Sequence, residues 1–577
     1  MTTEWTLWAP RVHTLEVELL DGGERIAASR SKDGVFSLDR RLIVGPYMLV
    51  LDGAERIVDP RASSIDSVFG PGRLCDLHAE VSGFRAVPLH EGVVYELHVG
   101  TFTSAGTFDA AIEKLAALAA LGITHIELMP VATWSGDRNW GYDGAALFAP
   151  MRGYGGPEGL VRLVAAAHRH GLAVVLDVVY NHLGPIGNYL DRLGPYFRPD
   201  RHTPWGSALN FDGSGSDHVR RFFLDNAISW MRDYGCDGLR IDAIHAITDA
   251  SARPFLAELV DEVAQLGQAI GRPLCLIAES DLNDPRVIVA QGRGGLGMDA
   301  QWCDDFHHSL HVALTGEDTG YYVDFAIAPG DSPWASVARA LEDGYVYKGQ
   351  HSASRDRRHG APLPEAVPLS RLIGYAQTHD QVGNRAKGDR LSQLVPVSRQ
   401  RIAAALLLTS PFVPMLFAGE EWGASTPFQF FTDHRDEHIA EETRKGRMRE
   451  FVHFGWSATE IADPQDEQTF LRSKLRWEEA ETGAHAGMLA WHRQLIALRH
   501  AEPELRAGAR HAVVATAKGA LLVVRRGSYV IVANLGAAAT HELPSAGRLV
   551  LAGEPETTLE GPALHVACDG VAIVKLN

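Results

Sequence analysis

Four short stretches of this chain end in side chains able to carry protons or attack carbon. They are Asp177-Val178-Val179-Tyr180-Asn181-His182, Gly238-Leu239-Arg240-Ile241-Asp242-Ala243-Ile244-His245, Ile277-Ala278-Glu279-Ser280-Asp281 and Gln377-Thr378-His379-Asp380. Asp242 and Glu279 suit hydrolysis of a glycoside, which needs two carboxyl groups flanking the bond, one of them protonated. A separation of roughly 5–5.5 Å between them would select the retaining route. Arg240 lies two residues before Asp242, so in a strand the two side chains share a face. A guanidinium there keeps the carboxylate ionised, as a nucleophile requires. Glu279 must instead keep its proton near neutrality, which nearby carboxylates and desolvation promote. Asp380 is a third carboxylate, suited to sugar hydroxyls and a distorted ring, and His182 and His379 are further donors. Each residue alone is more often a cap, a solvated charge or a satisfied structural histidine. Four acid-bearing stretches at comparable places in one repeating pattern do not.

The pattern that must position them is an alternation of strands and helices. Val93–Val99 reads as a strand, and Phe108–Leu121 carries Phe108, Ile112, Leu115 and Leu118 at helical spacing. Strands over Thr124–Met129, Leu172–Tyr180, Gly238–Ala243 and Leu274–Glu279 are interleaved with helices over Pro157–His170, Asp217–Tyr234 and Ala252–Ile270. Further strands fall near Ala300–Trp302, Leu372–Gln377 and Pro414–Phe417. Eight strands alternating with helices predict a (β/α)8 TIM barrel, whose working residues sit at the C-terminal strand ends. A doubly wound open sheet is disfavoured, because no Gly-rich phosphate turn follows the first strand. Short strands separated by turn residues precede and follow this region. The expected organisation is therefore an N-terminal β-sandwich over 1–88, the barrel over 89–500 and a C-terminal β-sandwich over 501–577. The stretch between His182 and Asp217 reads as loop, as does the polar stretch Lys348–Gly360.

Composition narrows the partners. The 577 residues are 46% hydrophobic and 22% charged, with a formal net charge of −18. That balance argues against nucleic acid or an anionic membrane and permits neutral sugars. The five cysteines are scattered, with no pairing that reads as a metal site or disulfide framework. The segment MTTEWTLWAP has no basic or apolar signal region, and no run of about 18 apolar residues occurs, so a cytoplasmic location is expected.

Taken together, Asp177–His182, Gly238–His245, Glu279 and His379-Asp380 resemble the four signature regions of the α-amylase family, glycoside hydrolase family thirteen. The resemblance implies a retaining double displacement with Asp242 as nucleophile, Glu279 as acid/base and Asp380 as transition-state stabiliser. It also implies substrate contacts for Arg240, His245, His182, His379, Gln381 and Asn384. Tyr142, in Asn139-Trp140-Gly141-Tyr142-Asp143, would stack on the sugar. A narrower resemblance, to the subfamily that acts on maltooligosyltrehalose, rests on Val179–Leu190, Gly194–Phe197 with Thr203–Gly206, Asp304–His311, Phe430–His434 and Gly446–Phe451. It implies cleavage of the α-1,4 bond next to a terminal trehalose, with maltooligosyltrehalose and related α-1,4-glucans as substrates and a trehalose-forming synthase as functional partner. A pocket that hydrogen-bonds the bent trehalose would leave buried groups unpaired with a linear glucan, and Asp305, His307, His308 and Trp205 are candidates for it. Many relatives bind calcium after the third strand. Here Asn181 matches a ligand position but no acidic cluster completes a cage, so no metal or other cofactor is expected. A glycogen branching enzyme and a non-catalytic glucan-binding protein are the rival readings.

Overall fold

The computed structural model describes residues 4–77, 79, 83–451, 456 and 460–577, and backbone alone at Glu450. Residues 1–3 of the N-terminal segment and the Glu450 side chain of the Gly446–Phe451 motif therefore lie outside the described residues.

Eight parallel strands close into a barrel: β1 (Val94–Leu97), β2 (His125–Leu128), β3 (Ala173–Val178), β4 (Gly238–Ile241), β5 (Cys275–Ala278), β6 (Ala300–Trp302), β7 (Leu372–Tyr375) and β8 (Val413–Phe417). Their near-continuous apolar runs reflect burial on both faces. Side-chain alternation then separates the two faces. Val94, Val175, Ile277, Ala300, Ile373 and Val413 pack together inside the barrel, whereas Leu97, Val174, Leu176, Leu239, Ile241 and Leu276 join the larger core under the helices. Two residues beyond the inner aliphatic layer the same inward parity delivers Glu96, Asp177, Arg240, Glu279 and Trp302. One period-two pattern thus builds the floor and aims the polar groups at the upper mouth.

The flanking sheets are antiparallel. At the N-terminus, a three-stranded sheet containing Glu4–Trp8 faces a larger one built on Leu15–Leu19 and Tyr47–Leu51. Its aromatics are interior: the Trp5 indole and the Tyr47 hydroxyl both donate to Asp59 Oδ2, at 2.7 and 2.6 Å. Trp8 stacks on His218, 4.6 Å away, in helix α1 (Ser216–Arg232), fastening sheet to barrel. After the barrel come a five-stranded and a three-stranded sheet between Val514 and Leu576. All five cysteines are free, and no helix among the described residues is long and apolar enough to cross a membrane.

Several elements differ from expectation. The helix read over Phe108–Leu121 is two, Phe108–Ile112 and Leu115–Leu121. The expected loop before α1 contains an antiparallel hairpin, Phe197–Thr203 with Gly206–Leu209, whose turn carries Trp205. The stretch Lys348–Gly360 likewise holds a small hairpin, tied down by Arg355 donating to Asp281 at 2.9 Å. The Asp304–His311 block is the start of helix α2 (Asp304–Thr315).

Two buried guanidiniums tie the loop before β8 to the C-terminal part of the chain. Arg499 donates to the carbonyls of Leu408, Ser410, Leu505 and Phe412, and Arg526 to those of Thr409, Glu504, Leu505 and Ala507. Burial pulls Arg499 down to about 9, so the carbonyls hold its position at an electrostatic cost. Replacing Arg499 by Met leaves four buried carbonyls without this donor, a loss of about 3 kcal/mol. The melting temperature followed by circular dichroism should fall by several degrees, and Arg499→Lys should recover little of it, because an ammonium cannot span the same fork.

Candidate active site

The site grows from β4. Arg240, 2% exposed, donates from Nη1 to both oxygens of Asp177, at 3.0 and 2.9 Å, and to Asp242 Oδ1 at 2.8 Å. Its Nη2 lies 3.8 Å from Glu279 Oε2, and its guanidinium sits 4.3 Å from the ring centre of Trp302. Two carboxyls from adjacent strand ends therefore bracket one cation. Asn181, from the segment after β3, donates to Asp242 Oδ2 at 2.7 Å and to its carbonyl at 3.0 Å. With its oxygen against His182, that amide is committed to holding Asp242. Among the described residues no group of three or more His, Cys, Asp or Glu side chains could hold a metal ion.

Backbone geometry aims Glu279. The chain turns after Asp242 through Ala243, left-handed at φ 38°, an arrangement that costs roughly 1 kcal/mol for a residue other than glycine. This turn points the Ala243 N–H at the Glu279 carboxyl. Burial raises Glu279 well above the usual carboxylate range, and although Arg240 opposes this, the charges of Asp242, Asp304 and Asp380 reinforce it. A shift in that direction suits a carboxyl to act as a proton donor.

The loop after β2 supplies Tyr142. Gly141 has φ +108°, and a Cβ there would lie 2.1 Å from the Pro130 carbonyl oxygen, so only glycine fits the turn. Tyr142 donates its hydroxyl proton to Asp177 at 2.7 Å. Toward His379, 2.9 Å away, the same oxygen must accept. The other ring nitrogen of His379 faces Glu96, whose carboxylate favours the cationic, doubly protonated ring. Burial works against that charge, but Glu96 prevails and the His379 pKa is raised.

The remaining expected residues divide. His245 is exposed just after Asp242, and Asp380 is exposed in the short helix His379–Gly383, accepting from Asn384 at 2.7 Å. Trp205, 51% exposed, stacks on His182 at 5.4 Å and presents a free aromatic surface. His182 has both ring nitrogens engaged by protein, by Asn181 and by the Tyr142 carbonyl, and so has His379, by Tyr142 and Glu96. Gln381 is buried and accepts from Thr378 at 2.6 Å. Asp305 and His307 are turned into the protein, correcting their assignment to substrate. One oxygen of Asp305 takes Val346 N–H, Tyr347 N–H and Asn283 Nδ2, while His307 binds the Ala376 carbonyl and the Tyr322 hydroxyl. His308 is wedged among Tyr321, Tyr322 and Phe325, where burial lowers it to about 3. All three serve the packing of α2.

Three participants receive no role of their own from a reading of the sequence. Glu96 orients His379, and a lone Glu at the inward parity of a strand with Val94 is the signal for it. Asp177 stands out in sequence only as part of a motif; burial lifts it to about 6 despite Arg240. Asp304, at the head of α2, accepts from Tyr375 and is pushed by burial to about 7.

The chain is similar to known proteins. The model of the alpha amylase catalytic domain matches residues 83–195. The malto-oligosyltrehalose trehalohydrolase of Mycobacterium tuberculosis is 45% identical over 567 residues, covering 96% of this chain and 95% of the relative. That of Arthrobacter ramosus is 44% identical over the full length of both. A crystal structure from Salmonella typhimurium, assigned to the alpha amylases, superposes with a TM-score of 0.88 at 36% identity, covering 99% of this chain and 97% of that one. With an eight-stranded barrel, paired carboxyls about one arginine and near-complete coverage at such identities, the chain belongs to the malto-oligosyltrehalose trehalohydrolases, glycoside hydrolases of the α-amylase family.

Proposed function

We propose that the site cleaves the α-1,4-glucosidic bond adjacent to the terminal trehalose of maltooligosyltrehalose, releasing trehalose and a maltooligosaccharide. The bracketing of Arg240 by Asp242 at 2.8 Å and Glu279 at 3.8 Å carries the hydrolysis, and the similarity to malto-oligosyltrehalose trehalohydrolases supports the choice of bond. Asp242 attacks the anomeric carbon of the glucose next to the trehalose unit. Glu279 gives its proton to the bridging oxygen, which leaves as the free 4-hydroxyl of trehalose. The glycosyl–Asp242 ester then reacts with water, whose proton returns to Glu279 while the maltooligosaccharide departs. Asp380 accepts hydrogen bonds from ring hydroxyls, which strengthen as the sugar flattens, and Trp205 offers a platform for a sugar face. A synthase that converts the reducing end of a glucan to trehalose would supply the substrate.

Purified protein given maltotriosyltrehalose and maltopentaose side by side should release trehalose and maltotriose from the first and leave the second nearly untouched. Equal digestion of both would retain the hydrolysis and reject the specificity. New branch points in longer glucans would identify a branching enzyme, and binding without products a non-catalytic glucan binder.

The carboxyl cluster also sets a pH dependence. The raised Glu279 pKa keeps the acid protonated to higher pH, so activity is present below that value and falls as pH rises through it. Asp304→Asn removes a like charge, so Glu279 should lose its proton earlier. The alkaline limb of kcat/KM should therefore move down by about half a pH unit or more. An unmoved limb would mean that Asp304 does not govern the acid.

A further inference from the structure

Between β8 and the last long helix, α4 (Gly483–Ala501), the chain makes an excursion that includes helix α3 (Glu437–Phe451). From α3, Arg447 reaches into the barrel mouth. Its Nη1 donates to Asn384 Oδ1 at 2.6 Å and its Nη2 to the Gly383 carbonyl at 2.8 Å. The guanidinium lies 4.5 Å from the ring centres of both Phe430 and Phe451. Asn384 in turn donates from Nδ2 to Asp380 Oδ1 at 2.7 Å.

An asparagine amide can face a carboxylate with its NH2 or, after a half-turn, with its oxygen. Only the first attracts. Asn384 sits beside an exposed Asp380, and the donor on its amide oxygen is Arg447, brought from α3 rather than from its own helix. A cation on that oxygen makes the productive orientation the stable one. We propose that Arg447 is a positioning residue for Asp380, acting through the Asn384 amide, and that docking of α3 thereby completes the third carboxylate of the site. The inference rests on the hydrolytic reading above, because Asp380 matters here for the transition state.

The test is a double-mutant cycle on the full chain, with Arg447→Met and Asn384→Ala alone and together, assayed on maltotriosyltrehalose. Arg447→Met should lower kcat roughly 10- to 100-fold, the scale expected for a misplaced catalytic group, with KM changed less than about threefold. In the Asn384→Ala background the same change should cost less than about threefold in kcat, since the intermediary is already gone. Arg447→Lys keeps the charge but not the planar fork, and should show the same background dependence with a smaller loss; it serves if the Met variant fails to fold. An equal kcat loss in both backgrounds would overturn the proposal, assigning Arg447 a role independent of Asn384. Wild-type protein inactive on this substrate would instead reject the hydrolytic reading, so the two failures are distinct.

Discussion

Everything in the cleft is arranged about the buried Arg240 guanidinium. Taken alone, moving such a cation out of water is strongly unfavourable, and a buried ion pair seldom adds net stability. Arg240 is compensated by Asp177, Asp242 and Glu279 around it and by the face of Trp302. Burial acts against its charge, yet these partners hold its pKa well above the ordinary arginine value. The planar fork matters as much as the charge. It meets two carboxylates from one nitrogen and leaves the other toward the Glu279 carboxyl, a geometry no ammonium reproduces. The stabilisation it costs elsewhere is returned as fixed positions for groups that must act together.

The barrel supplies the order in which these groups stand. Asp177, Asp242, Glu279 and Asp304 come from the ends of β3, β4, β5 and β6, neighbours in the closed sheet, and Asp380 follows β7. Their proximity raises Glu279, Asp177 and Asp304 by burial and mutual repulsion. Separation of roles between two carboxyls is then a matter of environment alone. Asp242 receives Arg240 and Asn181, whereas Glu279 receives one backbone N–H and faces other acids. Across the mouth, the Glu96–His379–Tyr142–Asp177 chain locks ring orientations through groups drawn from β1, the helix after β7, the loop after β2 and β3.

Much of this is legible in the sequence. Apolar runs bounded by turn residues mark the barrel strands, and acids at their C-terminal ends mark the site. What sequence obscures is the fate of polar residues whose partners are distant. Asp305 and His307 read like sugar contacts because a helix start and a binding edge use the same residue types. The hairpin Phe197–Thr203 with Gly206–Leu209 lacks an alternating apolar face, its strand residues being mostly exposed or half-exposed and polar, so no period announces it. Glu96 is hidden because its partner His379 is 283 positions away.

Central to the proposed chemistry is a covalent bond between the sugar and Asp242, held by Arg240, with Glu279 handling the proton. The most direct test uses Glu279→Gln with maltosyl fluoride, whose leaving group needs no acid. The ester should form and persist, because the base that would activate water is missing. Mass spectrometry of the digested protein should find one maltosyl unit on the peptide that carries Asp242. Label on a different residue, or fluoride release with inverted maltose and no label, would contradict the double displacement.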